Sequence, residues 1–236
     1  MEPAIERVIR AASGRYAAAG RFPAGFAHGK LRHDPMYSAL LRLGCLPDRG
    51  RLADLGCGRG LLLALIAAAC EVSGRGAWPA GWPPPPSQLA LQGCDIHAGH
   101  VAIARQALDG RASITLEDVR DAALPRCTAV TLLDVLFYLE PEAQTQVLQR
   151  AAAALEPGGV LLLREADAAR GLAFRVTRWG ERALEAVRGR PFRDLHYRTA
   201  GEWAALLESL GLSVHPEPMS EGTPFANVLF ICTKPG

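Results

Sequence analysis

The chain has 236 residues, 49% of them hydrophobic, 21% charged and 6% aromatic, a composition that can bury a substantial core and excludes a disordered protein. Its 26 Lys+Arg against 24 Asp+Glu leave a formal charge of +2, without the basic excess of a protein that coats nucleic acid. The longest apolar run, Leu61 to Cys70, falls far short of the roughly 20 residues of a membrane-spanning helix.

At the start of the chain, Glu2, Glu6, Arg7 and Arg10 stand where a signal peptide needs its apolar stretch, so a cytoplasmic protein with no membrane span is expected. Helical patches at Glu2 to Ala19 and Pro35 to Cys45 flank a Gly/Pro-punctuated middle, Gly20 to Gly29. Residues 1–50 are expected to form an N-terminal helical cap on a domain spanning 51–236.

From Arg51 onward strand-like and helix-like segments alternate: Arg51 to Leu55, Leu61 to Val72, Leu89 to Asp95, Val101 to Leu108, Ala112 to Glu117, Ala129 to Leu133, Glu142 to Leu155, and Val160 to Arg164. Such alternation with short connections predicts an α/β fold, a doubly wound parallel sheet covered on both faces. Residues 73–88 hold five Pro and three Gly in sixteen, too many for a helix or a central strand, and read as a loop insertion on the surface. Pro157-Gly158-Gly159 is expected to stop the helix at 142–155. Thr199 and Glu202 form a capping box ahead of a helix with Trp203, Leu206, Leu207 and Leu210 on one stripe. Leu212 to His215 and Phe225 to Cys232 read as a closing hairpin.

Chemistry concentrates where strands end. Asp54-Leu55-Gly56-Cys57-Gly58-Arg59-Gly60 joins the first strand to its helix. There glycines permit a tight turn and close approach of a ligand to a helix N-terminus. Leu61 occupies the position a dinucleotide fingerprint reserves for its last glycine, which disfavours a nicotinamide oxidoreductase. Asp54 is badly placed for a phosphate and well placed for an ammonium group. A turn of this kind alone is often only a turn.

Asp95 ends the next strand, in Gly93-Cys94-Asp95-Ile96. An acid about 20 positions after such a turn can accept from both hydroxyls of a ribose. Gly60 to Asp95 is 35 positions, and removing the sixteen residues of the insertion leaves 19. Glu117-Asp118-Val119 and Asp134-Val135-Leu136-Phe137-Tyr138 follow the third and fourth strands, lining the crevice in which open α/β sheets bind ligands. Asp118 suits an exocyclic base amine, with Ile96 and Val119 against the faces of a purine.

The order DLGCGRG, CDI, EDV, LLDVLFYL and LEPGGVLLLRE resembles the class I S-adenosylmethionine-dependent methyltransferases. The resemblance covers about 51 to 166 closely, and implies a seven-stranded, mostly parallel sheet with an antiparallel last strand and S-adenosylmethionine as cofactor. It further implies that the Asp54 to Gly60 turn, with Asp54, Gly56, Cys57, Gly58 and Gly60, holds the methionine part, Asp95 the ribose, and Asp118 with Val119 the adenine. Asp134 and Leu136 would lie beside the methionine and the reactive methyl. Lys30 and Arg32, in Gly29-Lys30-Leu31-Arg32-His33-Asp34, read either as reaching over the turn to the methionine carboxylate or as an exposed charged linker. Phe137 stands where similar sequences often have His, which leaves no base on that loop and no catalytic residue assigned. His28, His33, His196 and His215 read as surface or packed histidines.

Methyl transfer to a small-molecule or carrier-bound acceptor, at a hydroxyl or carboxylate oxygen, is the function expected; the alternative is a non-catalytic S-adenosylmethionine-binding partner or regulatory subunit. No Asn- or Asp-Pro-Pro-aromatic tetrapeptide follows the fourth strand, so nucleic acid is not the expected acceptor. Nine arginines against five acids between Arg164 and Arg198 suggest a lid over 167–198 that attracts an anionic acceptor, or else a solvated helix face. The six cysteines (Cys45, Cys57, Cys70, Cys94, Cys127 and Cys232) form no Cys-x-x-Cys pair. They read as reduced small hydrophobes, and no metal site is expected.

Overall fold

The computed structural model describes residues 2–187, 194–220 and 222–236, and within 181–187 it describes the backbone alone. Seven strands, β1 (Arg49–Leu55), β2 (Gln88–Asp95), β3 (Ala112–Leu116), β4 (Cys127–Leu133), β5 (Leu155–Ala166), β6 (Ser213–Pro218) and β7 (Asn227–Thr233), form one sheet in the order β3-β2-β1-β4-β5-β7-β6. β7 runs antiparallel to both neighbours, and the other pairings are parallel. Buried Val, Leu, Cys and Ala fill β4 and β5, as strands covered on both faces require. The edge strand β6 is where Pro216 and Pro218 fall, in keeping with proline's missing ladder donor.

The chain order reverses between β1 and β4, so the crevice beyond their C-terminal ends is the place where such sheets bind ligands. Helices α4 (Leu61–Gly74), α5 (Ala98–Leu108), α6 (Pro141–Ala154), α7 (Gly171–Val187) and α8 (Ala200–Ser209) connect the strands. α4 is apolar all round, a pattern stable only where every face is covered. One face meets the sheet, and α1 (Pro3–Gly14) packs across another. Ile5, Val8, Ile9, Ala12 and Tyr16 join Leu61 to Ala69 in one core cluster.

Two local readings change. Gly20 to Gly29 is helical: α2 spans Arg21–His33 and is followed by α3, Pro35–Leu43. Gly20, at φ +112°, starts α2, and Pro23 sits in the first turn, where its missing N–H costs nothing. Ala27 and Leu31 then bury one side of the helix. Pro157-Gly158-Gly159 does not stop α6, which already ends at Ala154. Those residues lie in β5 as an irregularity, since Cys127 pairs with Leu155 and Ala129 with Val160. The 73–88 insertion runs as a loop from the end of α4 to β2, exposed or half-buried along most of its length, and is pinned to the core by its tryptophans. Trp78 and Trp82 meet edge to face at 6.0 Å and sit against the core cluster, Trp78 Nε1 donates to the Pro83 carbonyl at 2.9 Å, and Pro84 to Pro86 close over Leu40, Leu62 and Ile66.

The helix from Ala200 carries both halves of the expected capping box, Thr199 Oγ1 accepting from the Glu202 amide and Glu202 accepting from the Thr199 amide. All six cysteines are free. Among the described residues no helix is long and apolar enough to cross a membrane.

Candidate functional site: a cleft at the strand ends

A cleft of about 680 Å³ opens over the C-terminal ends of β1, β2 and β4. Its floor on one side is the turn from Asp54 to Gly60, which the sequence bends by three glycines at φ +74°, +56° and +75°. The three glycines have two different reasons. A Cβ at Gly56 would come within 2.5 Å of Val135 Cγ2 and one at Gly60 within 2.9 Å of Leu108 Cδ1, so these two are packing glycines. At Gly58 a Cβ would meet nothing within 4 Å, because that stretch of backbone faces open space.

Asp95 ties the turn to β2. Its Oδ2 accepts from the Gly58 amide at 2.9 Å, and its Oδ1 accepts from the His97 amide at 2.8 Å and lies 2.9 Å from His97 Nδ1. Burial alone would raise this carboxyl, but the nearby His100 ring and the hydrogen bonds from His97 hold it down to about 2. Asp54 is treated oppositely. Buried and bonded only by Thr131 Oγ1 at 2.6 Å, on the paired position of β4, it is pushed up to about 7 by desolvation, with Asp95 adding to the shift. Asp95, His97 and His100 bring ligating atoms within 4.8 Å of one another, a grouping that can hold a metal ion; within it His97 Nδ1 is hydrogen-bonded to Asp95 Oδ1, while His100 Nδ1 stands 3.6 Å from the same oxygen.

The far side is built around a buried cation. Arg164 Nη1 in β5 lies 2.7 Å from Asp34 Oδ2 and 3.4 Å from Asp134 Oδ2, while Lys30 Nζ reaches the same Asp34 oxygen at 2.8 Å. Burial would raise Asp34, and Arg164 with Lys30 holds it below the usual carboxylate range. Asp134 itself has φ +60°, a left-handed residue that turns the chain off β4 into a short 3-10 turn, Leu136–Tyr138. Beneath that turn Glu165, fully buried, accepts from the Leu136 amide at 2.7 Å. Burial and the neighbouring Asp134 push its carboxyl well above the usual range.

Ten of the thirteen residues singled out from the sequence line the cleft: Lys30, Asp54, Gly56, Cys57, Gly58, Asp95, Ile96, Asp118, Val119 and Asp134. Three are not among the lining residues. Gly60 packs on α5; Leu136 is fully buried in the core cluster beneath the turn, with Val135 and Phe137 at the cleft on either side of it. Arg32 is drawn 2.6 Å onto Glu6 of α1, since two residues along a helix from Lys30 puts it on another face. Arg164, counted with an exposed arginine-rich segment, is buried beneath the site instead. Arg188, Arg190 and Arg193 of that segment lie outside the described residues, and of the side chains of Glu181, Arg182 and Glu185 nothing is described.

The structure adds residues that the motifs did not mark. Arg120 grips both oxygens of Asp118 at 2.6 and 3.0 Å. Phe26, under the Arg59 guanidinium at 4.4 Å, lines the mouth with Phe137 and Tyr138. Glu140, Asp194 and His196 complete the rim, so His196 belongs to the cleft after all. Arg59, Phe137 and Tyr138 lie within motifs already quoted, and His97, Arg120 and Glu140 stood close enough in sequence to a motif to be found from it; Phe26, Asp194 and His196 did not.

An open α/β sheet with this turn and acid at its switch point defines a domain that binds a nucleotide-like cofactor. Residues 28–217 match the family model described as a methyltransferase domain, and the chain belongs to that family, the class I S-adenosylmethionine-dependent methyltransferases. Over 145 residues it is 32% identical to the carboxy-S-adenosyl-L-methionine synthase of Chromohalobacter salexigens, covering 57% of this chain and 48% of the relative. Over 150 residues it is 33% identical to the ribosomal RNA small subunit methyltransferase C of Pseudomonas aeruginosa, covering 60% and 39%. The matches thus span half or less of those curated relatives. Among solved structures, an O-methyltransferase family protein from Burkholderia thailandensis superposes with a TM-score of 0.64 at 20% identity, over 94% of this chain and 62% of that one. A methyltransferase from Methanosarcina mazei gives 0.57 at 16%, over 82% and 96%. At these identities the superpositions speak for the fold, and they agree with the seven-stranded sheet and its antiparallel β7.

Proposed function

We propose that this chain transfers a methyl group from S-adenosylmethionine to an oxygen of a small-molecule acceptor. The observation that carries the reading is the joint placement of the open Gly58 backbone and the ionised Asp95 carboxylate at the sheet's switch point. When bound, S-adenosylmethionine supplies an electrophilic methyl on a sulfonium centre.

The residues present fit that group. Asp95 Oδ2 holds one amide and keeps a lone pair for a ribose hydroxyl, whereas Oδ1 already takes the His97 amide and ring, so the second hydroxyl binds as that ring withdraws. Asp54, half protonated near pH 7 with the Thr131 hydroxyl bonded to it, is an acceptor for an ammonium that would restore its charge. Lys30 stands opposite for the carboxylate of the same amino acid, on the rim, held by Asp34. Val119 and Ile96 offer apolar faces for a purine, and Asp118 reaches its amine as Arg120 lets go. Burial of Asp54 and the enclosing turn exclude water, and fixed positions of both reactants supply most of the rate.

The test is calorimetry with S-adenosylhomocysteine. Asp95→Ala removes a charge-assisted acceptor, and affinity should fall by about 10- to 150-fold, or roughly 1.5 to 3 kcal/mol. Unchanged affinity would remove Asp95 from the site.

A further inference from the structure

Resting on that reading of the cofactor, we infer that His196, oriented by Glu140, is the proton acceptor of the reaction, and that the acceptor molecule is a hydroxylated aromatic ring rather than a carboxylate. The turn after β4 offers no base: Asp134 is paired with Arg164, and Val135, Phe137, Tyr138 and Leu139 are the other side chains it brings to the cleft. The base comes from another element. His196 lines the cleft with its ring about a quarter exposed, and its Nε2 lies 3.2 Å from Glu140 Oε2 at the start of α6. A proton on Nε2 shared with that carboxylate leaves the Nδ1 lone pair free to take another, the tautomer that a general base needs.

The placement of His196 is over-determined. Its amide donates to the Phe137 carbonyl at 2.9 Å, and its own carbonyl accepts from Gln144 Nε2 at 2.8 Å. Gln144 is fully buried, and the same Nε2 lies 3.1 Å from the carbonyls of both Leu136 and Leu139, while its Oε1 accepts from Arg198 Nε at 2.7 Å. One buried amide therefore locks the segment bearing His196 onto the turn that borders the reaction centre. Nothing in the packing of the core needs this histidine ring, which faces the cleft.

The surroundings select the acceptor. Phe26, Phe137 and Tyr138 supply apolar and aromatic surface at the mouth, Phe137 itself being backed by Tyr197 at 5.3 Å, nearly parallel. Among the described residues, the charged and titratable groups close to His196 are Glu140 at the N-cap of α6, Asp194 two residues before it, the Tyr138 phenol of the turn, and Arg198, whose guanidinium is taken up by Gln144 Oε1 and the Pro141 carbonyl. Two carboxylates there repel a carboxylate acceptor and tolerate a neutral hydroxyl. In the step, the acceptor O–H bond breaks and its proton passes to His196 Nδ1. The oxygen forms the O–CH3 bond as the S–CH3 bond breaks, sulfur keeping the electron pair as a thioether. The imidazolium then returns its proton to water.

The experiment uses the full chain saturated with S-adenosylhomocysteine and 4-nitrophenol, whose phenolate absorbs near 400 nm. Bound nitrophenol should ionise at a lower pH in wild type, where His196 takes its proton, than in His196→Gln, with Glu140→Gln between the two and S-adenosylhomocysteine affinity unchanged in both. In turnover with a panel of phenols, His196→Gln should lower kcat by about 10²-fold or more, leave KM within a few-fold and remove the acidic limb of the pH profile. Nitrophenol that fails to bind, equal ionisation in wild type and variant, or methyl-ester formation from benzoates faster than ether formation from phenols would overturn the proposal. Loss of S-adenosylhomocysteine binding by the wild type would instead overturn the cofactor reading beneath it.

Discussion

The two sides of the cleft solve the same problem differently. On the β1–β2 side, Asp95 is satisfied by amides of its own neighbourhood, Gly58 across the turn and His97 two residues on. On the β4–β5 side, Asp134 and Asp34 share one buried guanidinium that arrives from 130 positions beyond Asp34. The first arrangement needs only a turn of the right shape and leaves an acceptor facing the cleft. The second needs the whole fold, and what it provides is a fixed junction joining α2 and α3 to the end of β4.

The comparison breaks most visibly at Arg164. Arg164→Met keeps much of the side-chain volume but leaves the buried Asp34 with Lys30 alone and Asp134 with no guanidinium, and removing one member of a buried charge group costs about 3–5 kcal/mol. Denaturant unfolding should show a loss of that order, and Arg164→Met combined with Asp34→Asn should recover a large part of it. An Arg164→Met protein as stable as wild type would mean that the junction is not what seats the N-terminal helices.

The β1 side responds to pH rather than to truncation. Burial holds the Asp54 carboxyl near 7, above its unfolded value, so the folded protein keeps a proton that the unfolded chain releases. Its contribution to stability is therefore full below about pH 4 and is lost as pH rises through 7. Asp54→Asn, which cannot ionise, should match wild type at low pH and exceed it at pH 8, by no more than about 4 kcal/mol from the conversion of such a shift. Saturating S-adenosylmethionine should erase the difference in wild type by pairing the carboxylate. Parallel pH–stability curves for the two proteins would show that Asp54 is ionised throughout.

The same contrast explains what could be read from the chain. The Asp54 to Gly60 turn, the strand it follows and Asp95 were legible because each contact closes within a motif, and because the 73–88 insertion could be subtracted from the spacing. Leu136 and Gly60 sit inside correctly placed motifs but face the core, since adjacency along a turn does not say which side each residue takes. α2 was obscured by Pro23, Gly25 and Gly29, whose weak helix propensity the burial of Ala27 and Leu31 overrides. Asp34 with Arg164, and His196 with Glu140, leave no local pattern at all: their partners are 130 and 56 positions apart and meet only through tertiary packing.

The smallest expected effect concerns the other arginines of the segment that includes Arg164. Arg175 and Arg178 are exposed on α7, where Arg178 lies 6.0 Å from the Phe174 ring and that ring meets Tyr197 edge to face, one residue from His196. An anionic acceptor steered by these charges would show a KM that rises with ionic strength and rises again in Arg175→Ala or Arg178→Ala. A neutral phenol has no charge to steer, and the carboxylates of Glu140 and Asp194 at the cleft oppose an anion at the last step. KM for phenols should accordingly change less than about twofold from low to high salt, where exposed charges are screened within about 10 Å, and either substitution should leave it there. A steep salt dependence shared by wild type and abolished in both variants would return the arginine-rich helix to the role of a lid for anions and count against the hydroxyl acceptor inferred from His196.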